Sequence, residues 1–155
     1  MRLYEYIPYP HICQPVYNNY MKCCPKPAGL AGLFAALADR TRLRLLNLMN
    51  GREVCVCYFV EILRQSQPKI SRHLAYLRNA GIASARREGK WMHYRIKRPT
   101  DAGAAAILDA TLISFRDDRE MQSDLARLGK ACCDPRRLVT LQGAPMPSVD
   151  YASGD

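Results

Sequence analysis

Hydrophobic positions fall on two periods along this chain, first 3.6 and then 2, and each change of period marks a change of element. Leu30, Leu33, Phe34 and Leu37 recur at i, i+3, i+4 and i+7, the apolar stripe of a helix. Asp39 or Thr41 is placed to cap a second helix carrying Leu43, Leu46 and Met49, with Gly51 as its stop signal. A short helical pattern runs from Val54 to Leu63 and breaks at Arg64-Gln65-Ser66-Gln67; a further helix is predicted from about Pro68 to Ala80. Pro68 suits a first turn, where its missing N–H has no intrahelical partner to lose. Ile70, Leu74 and Leu77 form the apolar stripe of that helix, and Lys69, Arg72, His73 and Tyr76 form the opposite one. A short helix, a four-residue turn and a basic amphipathic helix make a helix-turn-helix.

From Ile82 to Ile96 the period becomes 2, folded about the hairpin signal Arg87-Glu88-Gly89-Lys90. Met92, Tyr94 and Ile96 face one way and Trp91, His93 and Arg95 the other, which predicts a two-stranded wing with a basic tip. After Pro99, Thr100 or Asp101 starts a helix with Ala104, Leu108, Thr111, Leu112 and Phe115 on one side. Its more polar continuation through Arg127 is expected to break or kink near Asp117-Asp118. The fold class is therefore mainly α with a small β wing, a winged helix-turn-helix. Three segments follow: a Cys-, Pro- and Tyr-rich arm at 1–28, the winged domain at 29–118, and an extension at 119–155 that carries Cys132-Cys133 and ends in a Pro-, Gly- and Ser-rich tail.

Charge adds a partner to this picture. The 155 residues, 48% of them hydrophobic, give room for one core with terminal extensions. Residues 52–98 hold eleven Lys or Arg against three Glu, +8 of the chain's formal +9. So local an excess favours an anionic polymer, because Lys and Arg displace counterions from phosphates. The basic stripe on the helix can also be an ordinary solvated face. Its neighbours favour double-stranded DNA: Gln65, Ser66, Gln67 and Ser71 suit phosphates and base edges, and Gln can bond adenine bidentately. Arg86, Arg87 and Lys90 at the wing suit phosphate or minor-groove contact. No apolar run reaches the roughly 18–20 residues a bilayer needs, and the first residues lack the apolar core of a secretory signal. The expectation is a cytoplasmic protein with no membrane partner.

In that compartment thiols stay reduced, so clustered cysteines are ligands or sensors before they are a disulfide framework. Cys13 stands apart; Cys23-Cys24, Cys55-Val-Cys57 and Cys132-Cys133 are tight clusters. Cys55 and Cys57 can be two small hydrophobes packed at a helix start. Residues two apart in a helix point about 200° from each other, so joint chelation requires Cys55 to sit on non-helical backbone leading into the helix. Soft thiolates there favour As(III), Sb(III), Cd(II) or Pb(II) over hard ions. Cys23, Cys24, Cys132 and Cys133 are candidates for the remaining ligands, and no organic cofactor is indicated. His93 and Trp91 read as packing or surface residues.

The run from Leu37 to Leu46, Glu53-Val-Cys-Val-Cys57, the Ser66–Leu74 segment and the Glu88-Gly-Lys-Trp91 wing occur in the order and spacing of the ArsR/SmtB family of metalloregulatory repressors, which residues 29–118 resemble. The resemblance implies a homodimeric winged-helix repressor, dimeric through its first and last helices, that binds an inverted-repeat operator and releases it when a toxic metal or metalloid binds. Arsenic-responsive members often carry a third Cys three residues after Cys-Val-Cys, where this chain has Val60; arm cysteines complete the site in some members. The Asp and His set of zinc-sensing members has no counterpart, since no His follows His93.

The expected function is a repressor that leaves its operator when cysteine thiolates bind As(III) or Sb(III). Alternatives are a Cd(II)- or Pb(II)-responsive repressor of the same fold and a thiol-redox-sensing one. A thiol-based arsenic detoxification enzyme is the least favoured: its Cys-x5-Arg loop is not met by Cys57 and Arg64, which have six residues between them on a predicted helix.

Overall fold

The computed structural model describes residues 29–133 and 141–149. Helices α1 (Gly29–Leu37), α2 (Arg40–Met49), α3 (Val56–Leu63), α4 (Gln67–Asn79), α5 (Ala102–Ser114) and α6 (Arg119–Cys133) pack with a small antiparallel sheet. Its strands are β1 (Arg52–Cys55), β2 (Ala83–Glu88), β3 (Trp91–Ile96) and β4 (Ser148–Val149), in the order β2-β3-β1-β4. The architecture is a winged helix-turn-helix, with α3 and α4 as the helix pair and β2–β3 as the wing.

The α1 stripe divides. Leu33 and Ala36 are buried, while Leu30 and Phe34 remain 48% and 54% exposed. Asp39, not Thr41, caps α2 by accepting the Arg42 N–H at 2.9 Å. Beyond the expected Leu46 and Met49, Leu45 and Leu48 are also fully buried, because α2 has α6 on one side and β1 and β3 on another.

The stretch expected to be helical from Val54 is part strand. Val54 and Cys55 pair with Tyr94 and His93 of β3, and the helix starts only at Val56. α3 ends at Arg64, which adopts the left-handed conformation (φ 52°, ψ 44°) and turns the chain into α4 at a cost of about 1 kcal/mol. Ile70, Leu74 and Leu77 of α4 are fully buried, as their spacing requires. Gly89 (φ 57°) supplies the turn that pairs Glu88 with Trp91 at the wing tip.

Asp101 caps α5 by accepting the Ala104 N–H, and Leu108 and Phe115 enter the core. The kink expected near Asp117-Asp118 is a turn of 3₁₀ helix, Phe115–Asp117, after which Asp118 accepts the N–H groups of Glu120 and Met121 and starts α6. Met121, Asp124, Leu128 and Ala131 form the inward stripe of α6, against α2 and α3. Arg44 clasps the fully buried Asp124 through two bonds of 2.6 and 2.8 Å. Asn47 Nδ2 donates to Met121 O, and Arg40 bridges Asp118 and Glu120. Composition suggested a tail for the last residues, yet Leu141 is 1% exposed and Ser148–Val149 pair with Arg52 and Glu53. That pairing satisfies backbone groups on an otherwise open edge of β1.

Candidate functional site

α4 and the wing carry the basic residues. Ser66, Gln67, Lys69 and Arg72 are exposed, and the Lys69 and Arg72 side chains make no hydrogen bond or ion pair with the described residues. Ser66 starts α4 without a side-chain capping bond. Ser71 is half-buried, and the Gln65 side-chain oxygen is buried without a partner among the described residues. His73 and Tyr76 belong partly to the domain's own packing. His73 Nδ1 lies 3.4 Å from Asp39, and the Arg42 guanidinium stacks 4.3 Å from the Tyr76 ring. Burial lowers the His73 pKa; Arg42, Lys69 and Arg72 add to the effect and Asp39 opposes it, so the imidazole is neutral at pH 7.

The wing residues differ from one another. Among the described residues Arg87 bonds only its own turn, Nε to Gly89 O at 3.0 Å, and Lys90 sits 4.9 Å over the Trp91 ring. Arg86, expected from the sequence to contact DNA at the wing, donates to Glu53 at 2.6 Å and to Glu88 at 2.7 Å. Hydrogen bonds to these carboxylates raise its pKa still further.

The thiol pair lies at the junction of β1 and α3. Cys55 has extended backbone (φ −69°, ψ 143°) immediately before α3, and its Sγ stands 3.3 Å from that of Cys57. The non-helical residue that joint chelation requires is therefore present. Burial, with the hydrogen-bonded Cys55 beside it, pushes the Cys57 thiol up to about 12. Across the ladder Cys55 faces His93, which faces Arg86. His93 is 4% exposed; its nitrogens lie 3.7 Å from Glu53 and 3.8 Å from Glu88, outside hydrogen-bond reach, and it packs as expected.

The C-terminal cysteines separate. Cys132 is half-buried against the core, and burial raises its pKa despite nearby Arg52, whereas Cys133 is exposed. Cys13, Cys23 and Cys24 lie outside the described residues. Among the described residues no group of three His, Cys, Asp or Glu is close enough to hold a metal ion. Sequence reasoning missed Tyr58: it is 0% exposed, and its hydroxyl has no hydrogen-bond partner among the described residues. Within the apolar run from Val56 to Val60 nothing sets it apart from core.

Comparison with known proteins places this geometry among regulators. Residues 39–85 match the model of the bacterial regulatory protein, arsR family. The chain is 51% identical over 103 residues to the arsenical resistance operon repressor of Escherichia coli (strain K12), covering 65% of this chain and 86% of that protein. It is 46% identical over 83 residues to the arsenic resistance transcriptional regulator ArsR1 of Pseudomonas putida, covering 50% of this chain and 65% of the relative. Over 71 residues it is 38% identical to a cadmium resistance transcriptional regulatory protein CadC homolog of Staphylococcus aureus, covering 45% and 59%.

Proposed function

Because this chain belongs to the arsR family of bacterial regulatory proteins, we propose that it holds operator DNA as a homodimer and releases it when its cysteine thiolates bind As(III). It is an arsenical-resistance transcriptional repressor and not an enzyme. The observation that carries the As(III) reading is the 3.3 Å separation of the Cys55 and Cys57 sulfurs at the root of α3. Two convergent soft donors suit As(III) or Sb(III), and also Cd(II) or Pb(II). They stand where β1 enters α3, the helix that supports α4, so a ligand that repositions Cys55 repositions the reader.

On DNA, the exposed Lys69 and Arg72 with Ser66 and Gln67 meet the major groove, and Arg87 and Lys90 meet the backbone beside it. The dimer reading draws on Leu30, Phe34 and Ile113, which leave α1 and α5 with large apolar groups 48%, 54% and 58% exposed. In this arrangement residues 29–118 read DNA and dimerise, 1–28 are an arm, and 119–155 are an extension. Twofold symmetry sets the two α4 helices ~34 Å apart, one DNA turn. Among the described residues no helix is long and apolar enough to cross a membrane, and the cytoplasm, where operator DNA lies, is the proposed site of action.

Operator binding followed by fluorescence anisotropy during separate titrations with arsenite, antimonite, Cd(II), Zn(II) and a thiol oxidant tests this reading. Arsenite should release wild-type protein and leave Cys55→Ser and Cys57→Ser bound. Release of both variants, or release by oxidant alone, would remove the As(III) site. Sedimentation of Phe34→Glu should show a monomer where the native chain is a dimer.

A further inference from the structure

We infer that Arg42 is a positioning residue for operator reading: its guanidinium holds α4 at a set angle to α1, and His73 and Tyr76 of α4 are the seat on which it acts. This rests on the reading above in which α1 forms the dimer face and α4 enters the major groove. Arg42 lies in the first turn of α2, where a cation meets the positive end of the helix dipole and is disfavoured. Its neighbours Arg40 and Arg44, one turn apart, are held by Asp118, Glu120 and Asp124 on the α6 side. Arg42 stands two residues from each, about 200° round the helix, and faces α1 and α4 instead.

That guanidinium meets three elements. Nε donates to Ala36 O at 2.6 Å and Nη2 donates to Ala35 O at 2.7 Å. These carbonyls belong to the last four of α1, which have no partner within their own helix and form the negative end of its dipole. Nη1 lies 3.7 Å from Asp39, the residue that caps α2, and Asp39 in turn lies 3.4 Å from His73. The flat face stacks 4.3 Å from the centre of the Tyr76 ring. With two bonds to one helix the plane of the guanidinium is fixed, and the ring stacked on it is fixed with it. Lysine has neither the fork nor the flat face.

The consequence is felt in the dimer. Leu30 and Phe34 put the exposed apolar side of α1 on the proposed twofold interface, so the setting of α4 against α1 determines the distance and angle between the two readers. Along α4, Lys69 and Arg72 are left to DNA while His73 and Tyr76 grip the α1–α2 corner. A reader that swings on this joint still binds one half-site. It no longer places both helices in successive grooves together, and the gain from joint binding is lost.

The test uses the full chain and a duplex that the wild-type protein selects from a random pool. Alongside it are versions with one base pair added or removed between the half-sites, and a duplex holding a single half-site. Arg42→Gln and Arg42→Lys should both weaken binding to the selected duplex by roughly tenfold or more, hold half-site binding within about twofold, and discriminate less among the spacings. Tyr76→Leu, which leaves the α1 carbonyls and the Asp39 cap untouched, should behave alike, and Tyr76→Phe, which restores the ring, should recover most of the loss. Circular dichroism at the assay temperature checks folding, and the Tyr76 pair carries the test by itself if an Arg42 variant unfolds. Equal weakening on selected and half-site duplexes, with the spacing preference intact, would overturn the inference. So would a loss in Tyr76→Phe as large as in Tyr76→Leu, since the hydroxyl and not the ring would then act. Wild-type protein that binds every spacing equally would instead remove the dimeric reading, and the inference with it.

Discussion

Cys55 and His93 are direct partners in the antiparallel β1–β3 ladder, so the thiol pair and the wing share one rung of the sheet. On the same rung His93 faces Arg86, whose guanidinium is held by Glu53 two residues before Cys55. A displacement of Cys55 on ligand binding therefore reaches the wing as well as α3. His93→Phe should keep operator affinity without inducer but shrink the affinity ratio between free and arsenite-loaded protein by about fivefold or more, roughly 1 kcal/mol of coupling. Anisotropy titrations with and without arsenite measure that ratio, and an unchanged ratio would confine the switch to α3.

The wing arginines should separate by function. Arg87→Ala is expected to weaken specific and nonspecific DNA alike and to reduce the salt slope by about 1. Arg72→Ala should cost roughly 1–3 kcal/mol on operator alone if it reads a base edge. Arg86→Ala should leave the salt slope nearly unchanged but lower the unfolding midpoint, since Glu53 loses its close partner. Salt-dependent binding and urea unfolding distinguish the three.

Arg44 and Asp124 form a buried ion pair whose halves are 13% and 0% exposed. Arg44→Met removes the cation and strands a carboxylate whose other ion-pair partner among the described residues is Arg127, at 3.8 Å. Breaking such a pair costs about 3–5 kcal/mol, which chemical denaturation should show as a lower midpoint. The double variant Arg44→Met with Asp124→Leu should recover much of the loss.

Metal and metalloid should differ in pH dependence. The Cys57 thiol, pushed up to about 12 by burial and by Cys55, stays protonated throughout the neutral range. Cd(II) must displace that proton, so its affinity should rise with pH by up to about tenfold per unit for each proton released. Arsenous acid carries the thiol proton away as water and releases none, so its affinity should be flat. Competition titrations one pH unit apart decide this, and equal slopes would argue against direct exchange at Cys57.

The helix-turn-helix and the wing hairpin were legible in the sequence because each has a clean period: Ile70, Leu74 and Leu77 at helical spacing, and alternation about Gly89. β1 was not, since Arg52–Cys55 is too short to alternate visibly and its Val54 also continues the pattern of α3. The packing of α6 was understated because its inward stripe includes Asp124, polar by residue type and buried only because Arg44, 80 residues earlier, meets it. The Cys55–Cys57 pair was read from spacing and from the geometry chelation demands. Tyr58 and the division of Cys132 from Cys133 were not, because they depend on how α6 lies along α3.

The contacts that close the structure are also the most distant along the chain. Arg44 waits for Asp124, and Arg52–Glu53 wait for Ser148–Val149, whereas α3, α4 and the β2–β3 hairpin are assembled from near neighbours. Local contacts form quickly and long loops close late. During synthesis from the N-terminus the helix-turn-helix and the wing therefore have all their parts while Asp124 and Ser148–Val149 are still emerging, so the last contacts to close are those that brace α2 and β1 from behind.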